Sequence, residues 1–419
     1  MKKRYWISLL ILAELFLSAG TGQAIPAFAR KYGFNCNMCH TAFTKLNDFG
    51  ERYRDNGYQI QGQEGRENNV FSTPPPIALR TSTGLSMYST SGGSTAGFNL
   101  FGFDLLAAGV LHKNVSFMLI YTPRIDEPAA DHTGPGDGTN PSQLAAMESA
   151  NLVFSNIVQD ALNLRIGRFE PAYHAFSSKR SYYLLSPYEV YGFTTPLNTY
   201  SFDDNQFGIE ATGHFRGGFK YGLGFVNGTG ANPENNKNKD LYLNLSQTFG
   251  RGDGQSSGQR LGVFGYYGWQ PTKIDSTFLS PMGETDGKEN EMFYRFGVNG
   301  SFNWKTWNAQ LLWMKGVNDK AFNAFHPAEN YNYSGWLAEL DCAALMNNRL
   351  VLSVLLNRVN PPSYDAEGEV NAMSGLFRYY LGDWSAVNVT VHAEYTHRTT
   401  GKTIKVKDDI LAVLLDFAF

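Results

Sequence analysis

The chain has 419 residues, 42% hydrophobic and only 17% charged, with a formal net charge of −3 and a mean hydropathy of −0.31. Beyond residue 24 no apolar run reaches the roughly 18 residues a membrane helix needs, which excludes a helical bundle in a bilayer but not a membrane β-barrel, whose lipid-facing and lumen-facing residues alternate. No basic patch points to nucleic acid, and three cysteines are too few for a disulfide scaffold. The 43 Gly, 30 Phe, 23 Tyr and 7 Trp suit many strands, glycine turns and aromatic girdles.

The chain opens Met1-Lys2-Lys3-Arg4, runs apolar from Trp6 to Ala19 and reaches Gly22-Gln23-Ala24. A basic start, a short greasy centre and small residues before a cut are the parts of a secretory signal peptide. A membrane anchor is the competing reading, but the run is short and Glu14 interrupts it. Residues 1–24 are therefore expected to be removed on export, with Ile25 first in the mature chain.

Next comes Cys36-Asn37-Met38-Cys39-His40. This C-x-x-C-H run is the attachment signature of c-type haem. Two thiols three positions apart reach the two vinyl groups on one haem edge, and the adjacent imidazole lies under the ring as proximal iron ligand. A thioredoxin-like dithiol would need a βαβ context that is absent. A zinc site would need a second ligand pair nearby, and His392 and His397 are too distant. Cys36 and Cys39 are thus read as covalent haem attachments and His40 as axial ligand. Cys342 stands alone in an apolar strand, as a packing group. The sixth ligand stays open. Between Ile25 and Leu79 the only other candidate is Met38, which sits inside the attachment loop. A residue of the following domain, the Ile25 amine and an open position all remain.

The stretch Ile25 to Ile60 resembles the front end of the fused outer-membrane cytochrome–porins, best known as iron(II) oxidases of iron-oxidising bacteria. The matching features are Phe28-Ala29-Arg30 before the haem motif, then Leu46, Phe49-Gly50 and Asn56-Gly57-Tyr58 after it. The resemblance implies one haem c joined to a 16-stranded barrel that passes electrons across the outer membrane. It supports an electron conduit better than it supports an iron oxidase specifically.

Residues 41–59 are expected to form one helix or two short ones, with Asn56-Gly57 as a stop. Residues 61–76 turn polar and then proline-rich, as an extended linker. The cytochrome segment is therefore 25–79, plug-like or at the periplasmic mouth, and the barrel is 80–419. From Arg80 the pattern becomes period two, with about 16 segments of roughly ten residues, the signature of a transmembrane β-barrel. They lie near 80–92, 97–110, 113–122, 144–155, 161–169, 205–214, 218–227, 238–249, 259–269, 290–303, 305–316, 332–344, 348–359, 370–381, 384–396 and 406–419. With both termini in the periplasm, even-numbered connections should be tight turns and odd ones outer loops. The long links 123–143, 170–204, 228–237, 270–289, 317–331 and 360–369 are all odd. The linker 250–258 is a long exception, and the first outer loop is short. In 384–396, Val387, Val389, Val391 and Tyr395 share a lipid face while Asn388, Thr390, His392 and Glu394 share a wet one. The last strand puts Leu411, Val413, Leu415, Phe417 and Phe419 on one face, which resembles the signal read by the bacterial barrel-assembly machinery. A soluble β-sandwich explains fewer of these features together.

Loop 170–204 follows Gly167-Arg168-Phe169-Glu170-Pro171, a stretch similar to phosphate-selective porins. In porins such a loop often folds inward and narrows the lumen. It carries His174, Lys179 and Arg180. His174 is a candidate for the sixth ligand, and a solvated loop histidine is the plainer reading. His392 and Glu394 read as wet lumen groups, His112 as a turn residue, and Met87 and Met118 as packing groups.

A 16-stranded barrel has room for an aqueous channel, and the short tether places the haem in or against it. The expected function is electron exchange between an extracellular partner, such as Fe(II)/Fe(III), and periplasmic c-type cytochromes, in outer-membrane lipid. An anion-selective porin with an accessory haem and a haem enzyme such as a peroxidase are the other classes, although residues 25–79 show no distal acid–base pair.

Overall fold

Alternating side chains from Arg80 onward build a sheet that closes on itself. The computed structural model describes residues 27–32, 34, 36–66, 77–122, 147–186, 188–195, 197–250, 258–272, 290–381 and 388–418. The signal-peptide region and Phe419 lie outside them, as do Ile25 and most of loops 123–143 and 270–289. The barrel strands are β1 (Ile77–Thr90), β2 (Gly93–His112), β3 (Val115–Tyr121), β4 (Met147–Phe154), β5 (Asn163–Phe169), β6 (Gln206–His214), β7 (Phe219–Val226) and β8 (Asp240–Phe249). They continue as β9 (Gln259–Pro271), β10 (Asn290–Trp304), β11 (Trp307–Asn318), β12 (Tyr331–Ala344), β13 (Leu350–Asn360), β14 (Val370–Tyr380), β15 (Asn388–Thr400) and β16 (Val406–Ala418). Each pairs antiparallel with its chain neighbours, and β16 closes on β1 from Asp408↔Thr90 to Ala418↔Arg80. Closure removes every unpaired strand edge, which a bilayer requires.

Each expected segment becomes one of these strands. A short extra strand, Ile157–Asp160, sits within the β4–β5 connection. Strand β15 runs farther outward than the periodicity suggests, because Arg398–Thr400 pair with β16 up to Thr400↔Val406. That rim is polar on both faces, so alternation cannot reveal it. The tight end of the barrel is made by two-residue links after His112 and Trp304, where Lys113 (φ 49°) and Lys305 (φ 53°) take the left-handed conformation of hairpin turns. In outer-membrane barrels this is the periplasmic end.

The outer wall is apolar. In β16, Leu411, Val413 and Leu415 are exposed while Ala412, Leu414 and Asp416 are buried. Exposed Phe215, Phe219, Phe249, Phe302, Trp304 and Trp307 ring the tight end, and Tyr121, Tyr267 and Tyr294 stand toward the other. Amphipathic rings at both interfaces flanking an apolar band are the lipid-facing pattern of a membrane barrel.

Candidate functional site

The 3₁₀ turn Cys36–Met38 runs directly into Cys39 and His40. At three residues per turn, positions 36 and 39 fall on one side of the turn. The loop is held from behind by Asn47. Its backbone N–H donates to the Cys39 carbonyl (2.9 Å), and its side-chain amide donates to the Met38 (3.1 Å) and Asn37 (3.3 Å) carbonyls. The same side chain caps a helix, accepting from the Gly50 N–H at 2.9 Å. That helix, Asp48–Asp55, presses onto the loop so closely that a Cβ at Gly50 would stand 2.1 Å from the Cys39 carbonyl oxygen. A second helix, Ala27–Tyr32, crosses it through Phe28, whose ring meets Tyr53 edge-on (5.2 Å) and stacks on Tyr58 (4.9 Å).

His40 Nδ1 lies 3.0 Å from the Thr44 carbonyl oxygen. A carbonyl only accepts, so Nδ1 carries the proton and Nε2 keeps its lone pair. Burial lowers the imidazole pKa to about 4, opposed by the Thr44 and Lys45 backbone bonds and aided by the Arg180 charge. His40 is thus held as a neutral imidazole, the form in which a histidine can ligate a metal, with a carbonyl partner of the kind that orients such ligands. Two thiol-bearing positions on one side of a turn, followed by an imidazole whose far nitrogen carries a lone pair, are a donor set chemically suited to haem c.

This segment lies inside the tight-turn end of the barrel, bolted to its wall. Lys45 Nζ reaches Asp341 (2.5 Å) and Glu339 (3.0 Å) on β12. Glu51 takes both carboxylate bonds from Arg260 at 3.0 Å and an ion pair from Lys220 at 3.2 Å. Asp55 meets Arg165 (3.3 Å), His214 (3.0 Å) and Lys220 (3.2 Å). Burial pushes both carboxyls up, but these cations and Arg54 outweigh it and hold both well below the usual range. Gly57 ends the helix with φ +62°, and a Cβ there would stand 2.4 Å from Ser116 Oγ on the wall.

Loop 170–204 fills the lumen beside it. Its Tyr173, Phe176, Tyr182, Tyr183, Tyr188, Tyr191 and Phe202 are buried in one cluster with Tyr242, Tyr266, Phe293 and Leu337 of the wall. It is pinned to the far wall by Glu394, which accepts from the Leu184 and Leu185 N–H groups (2.9 and 3.1 Å) and from Ser186 Oγ. Tyr188 OH donates to Glu339 at 2.6 Å, and Arg398 meets Glu189 at 2.8 Å. His392 and Glu394 are therefore not merely wet: they are buried, 2.9 Å apart, and Glu394 anchors the loop.

His174 is not a solvated loop histidine. It is buried, its Nε2 faces the Phe202 carbonyl oxygen, and its ring stacks on Tyr191 at 5.4 Å. Its Nδ1 points at Glu170, 3.7 Å away. The ring thus serves the loop's own packing. His174 and Thr41 line the same polar cavity of about 90 Å³, together with Lys45, Glu51, Arg54 and Arg180. Cys342 is buried in β12, 3.8 Å from Thr306 Oγ1, as a packing group. Met118 accepts from Tyr58 OH at 2.7 Å, tying the segment to β3. Sequence reading missed Thr44, Asn47 and the wall charges Arg165, Lys220, Arg260 and Glu339. The cap was readable, as Asn47 followed by Asp48 and Glu51. The wall charges were visible only as inward-facing ions with no partner in their own strand.

A closed sixteen-stranded antiparallel barrel with an apolar skin, tight turns at one end and a long loop folded inward is the outer-membrane porin fold. Solved porins share it. OmpF of Salmonella typhi, in a complex with daunomycin, superposes with a TM-score of 0.54 at 11% identity over 82% of this chain and 97% of that one. OmpT of Vibrio cholerae, in its trimer form, gives 0.52 at 10% identity over 82% and 99%, and the DcaP channel of Acinetobacter baumannii gives 0.52 at 8% over 82% and 97%. No family model matches the chain, and no curated protein matches it in sequence.

Proposed function

We propose that this barrel is an electron conduit of the outer membrane, with a single haem c carried on Cys36, Cys39 and His40 as the cytochrome–porin resemblance implies. The observation that carries the reading is the position of the Cys-x-x-Cys-His loop, held by buried ion pairs inside a membrane-spanning wall. The apolar band of such a wall is about 25 Å tall, and a redox centre in the lumen shortens the distance to both sides. When bound, the haem supplies a one-electron Fe(III)/Fe(II) couple. The chain's own residues do the rest. His40 offers a neutral Nε2, Thr44 and Asn47 orient the loop, and the aromatic loop 170–204 keeps bulk water from the lumen. An extracellular one-electron donor such as Fe(II) becomes Fe(III), and a periplasmic c-type cytochrome accepts the electron.

The test uses proteoliposomes with oxidised cytochrome c trapped inside and Fe(II) added outside. Reduction of the trapped cytochrome that disappears in Cys36→Ala is expected. No covalent haem in matured protein, or no transfer with any external donor or acceptor, overturns the reading. A solute pore is the second reading, favoured by the shared porin fold. Single-channel conductance of porin size, unchanged by Cys36→Ala, would establish it.

A further inference from the structure

The turn that fixes His40 is also where the lumen loop touches the N-terminal segment. Thr44 carries both contacts. Its carbonyl oxygen faces His40 Nδ1 at 3.0 Å, and its buried hydroxyl lies 2.5 Å from the Ser181 carbonyl and 3.1 Å from the Arg180 carbonyl. From the opposite side Tyr380 OH, on β14, donates to the Phe43 carbonyl. The next residue, Lys45, bridges to Glu339 and Asp341 on β12 and stands 5.1 Å over the Tyr182 ring. The turn is therefore gripped by the loop on one side and the barrel on the other.

Resting on the haem reading above, we propose that Thr44 is a positioning residue through which loop 170–204 sets the orientation and hydrogen bond of the His40 ligand. A carbonyl that accepts from the far nitrogen of a ligating imidazole raises its basicity and so tunes the metal. Thr44 offers that carbonyl only while its hydroxyl is held by the loop. A change at the outer side of the lumen then reaches the cofactor by one residue, with no wall strand moving.

The experiment compares Thr44→Val, which keeps the shape and removes the hydroxyl, with Thr44→Ser, which restores it, in full-length haem-loaded protein. Three quantities are read: haem content, midpoint potential, and amide exchange of 181–183, the last also in haem-free protein. For Thr44→Val the expected results are unchanged haem content and a potential moved upward by up to a tenfold change in redox equilibrium, about 59 mV for one electron. Exchange should be about two- to tenfold faster. Thr44→Ser should return both to wild type. A potential equal to wild type in Thr44→Val, or an exchange rate equal to wild type, overturns the proposal. If that variant does not assemble, Tyr380→Phe decides, since it frees the same turn from the wall side. An upward shift supports the proposal and an unmoved potential overturns it. Haem-loaded protein with an unmoved potential ends this proposal alone, whereas wild-type protein without covalent haem ends the haem reading as well.

Discussion

Two segments fill the lumen, and they are held by different physics. The N-terminal segment docks through Lys45, Glu51 and Asp55, each matched by opposite charges on β5, β6, β7, β9 or β12, beside a smaller contact of Tyr53 and Tyr58 with Ala108 and Met118 of the wall. Loop 170–204 docks through buried aromatic surface and through carboxylates that accept its backbone N–H groups. Aromatic burial is non-directional and insensitive to pH. Ion pairs demand both partners in place, because removing one leaves the other buried and uncompensated. The segment that bears the candidate cofactor loop therefore docks mainly through ion pairs, while the loop beside it docks mainly through aromatic burial, anchored by Glu394 and by the Arg398–Glu189 pair.

Asp55→Ala should break this contrast most strongly. Asp55 is almost fully buried among Arg165, His214 and Lys220, so its loss should cost the segment's docking about 3–5 kcal/mol. Protease should then cut residues 45–66 in reconstituted protein, while the heat-modified gel shift of the barrel stays put. A cleavage pattern identical to wild type would mean that packing, not charge, holds the segment.

Glu394→Gln attacks the other region. The amide replaces one of the oxygens that accept from Leu184 and Leu185, at a cost of about 2 kcal/mol for a lost charged acceptor. Amide exchange should quicken at 184–186 and stay unchanged at 48–55. Equal quickening in both places would show that the two fillings move as one.

Acid should separate the two more gently. Glu51 and Asp55 have pKa values held below their ordinary 4.5 and 3.8. A depressed carboxyl binds fewer protons when docked than when free, so its contribution is fully present above about pH 4.5. It falls away as pH drops below that toward the depressed values. Protease access to 45–66 should rise between pH 5 and 3 while access to 182–191 rises less; the reverse order would mean that charge holds the loop more than it holds the segment.

Much of this was legible beforehand. Inward and outward residues in β15 and β16, tight links at Lys113 and Lys305, and a long link after Phe169 all follow local rules of alternation and turn chemistry. The spacing of Cys36, Cys39 and His40 is equally local, and the haem it implies stands as a proposal. His174 shows where such reading stops. Its position in a polar-looking loop suggests solvent, yet Tyr191, Phe202 and Glu170 enclose it. His392 and Glu394 show the same limit, because an inward-facing side chain has no visible partner until the loop arrives.

By itself the amino-acid order determined the barrel and which strand residues face in or out, because each depends on neighbours one to four residues away or on a period of two. Only the tertiary structure decided that Glu51 meets Arg260, that Glu394 holds residues 184–186, and that Thr44 joins His40 to Ser181. Apart from the His40 turn itself, those contacts join residues 137 to 210 positions apart, and closing the barrel is what brings them within bonding distance.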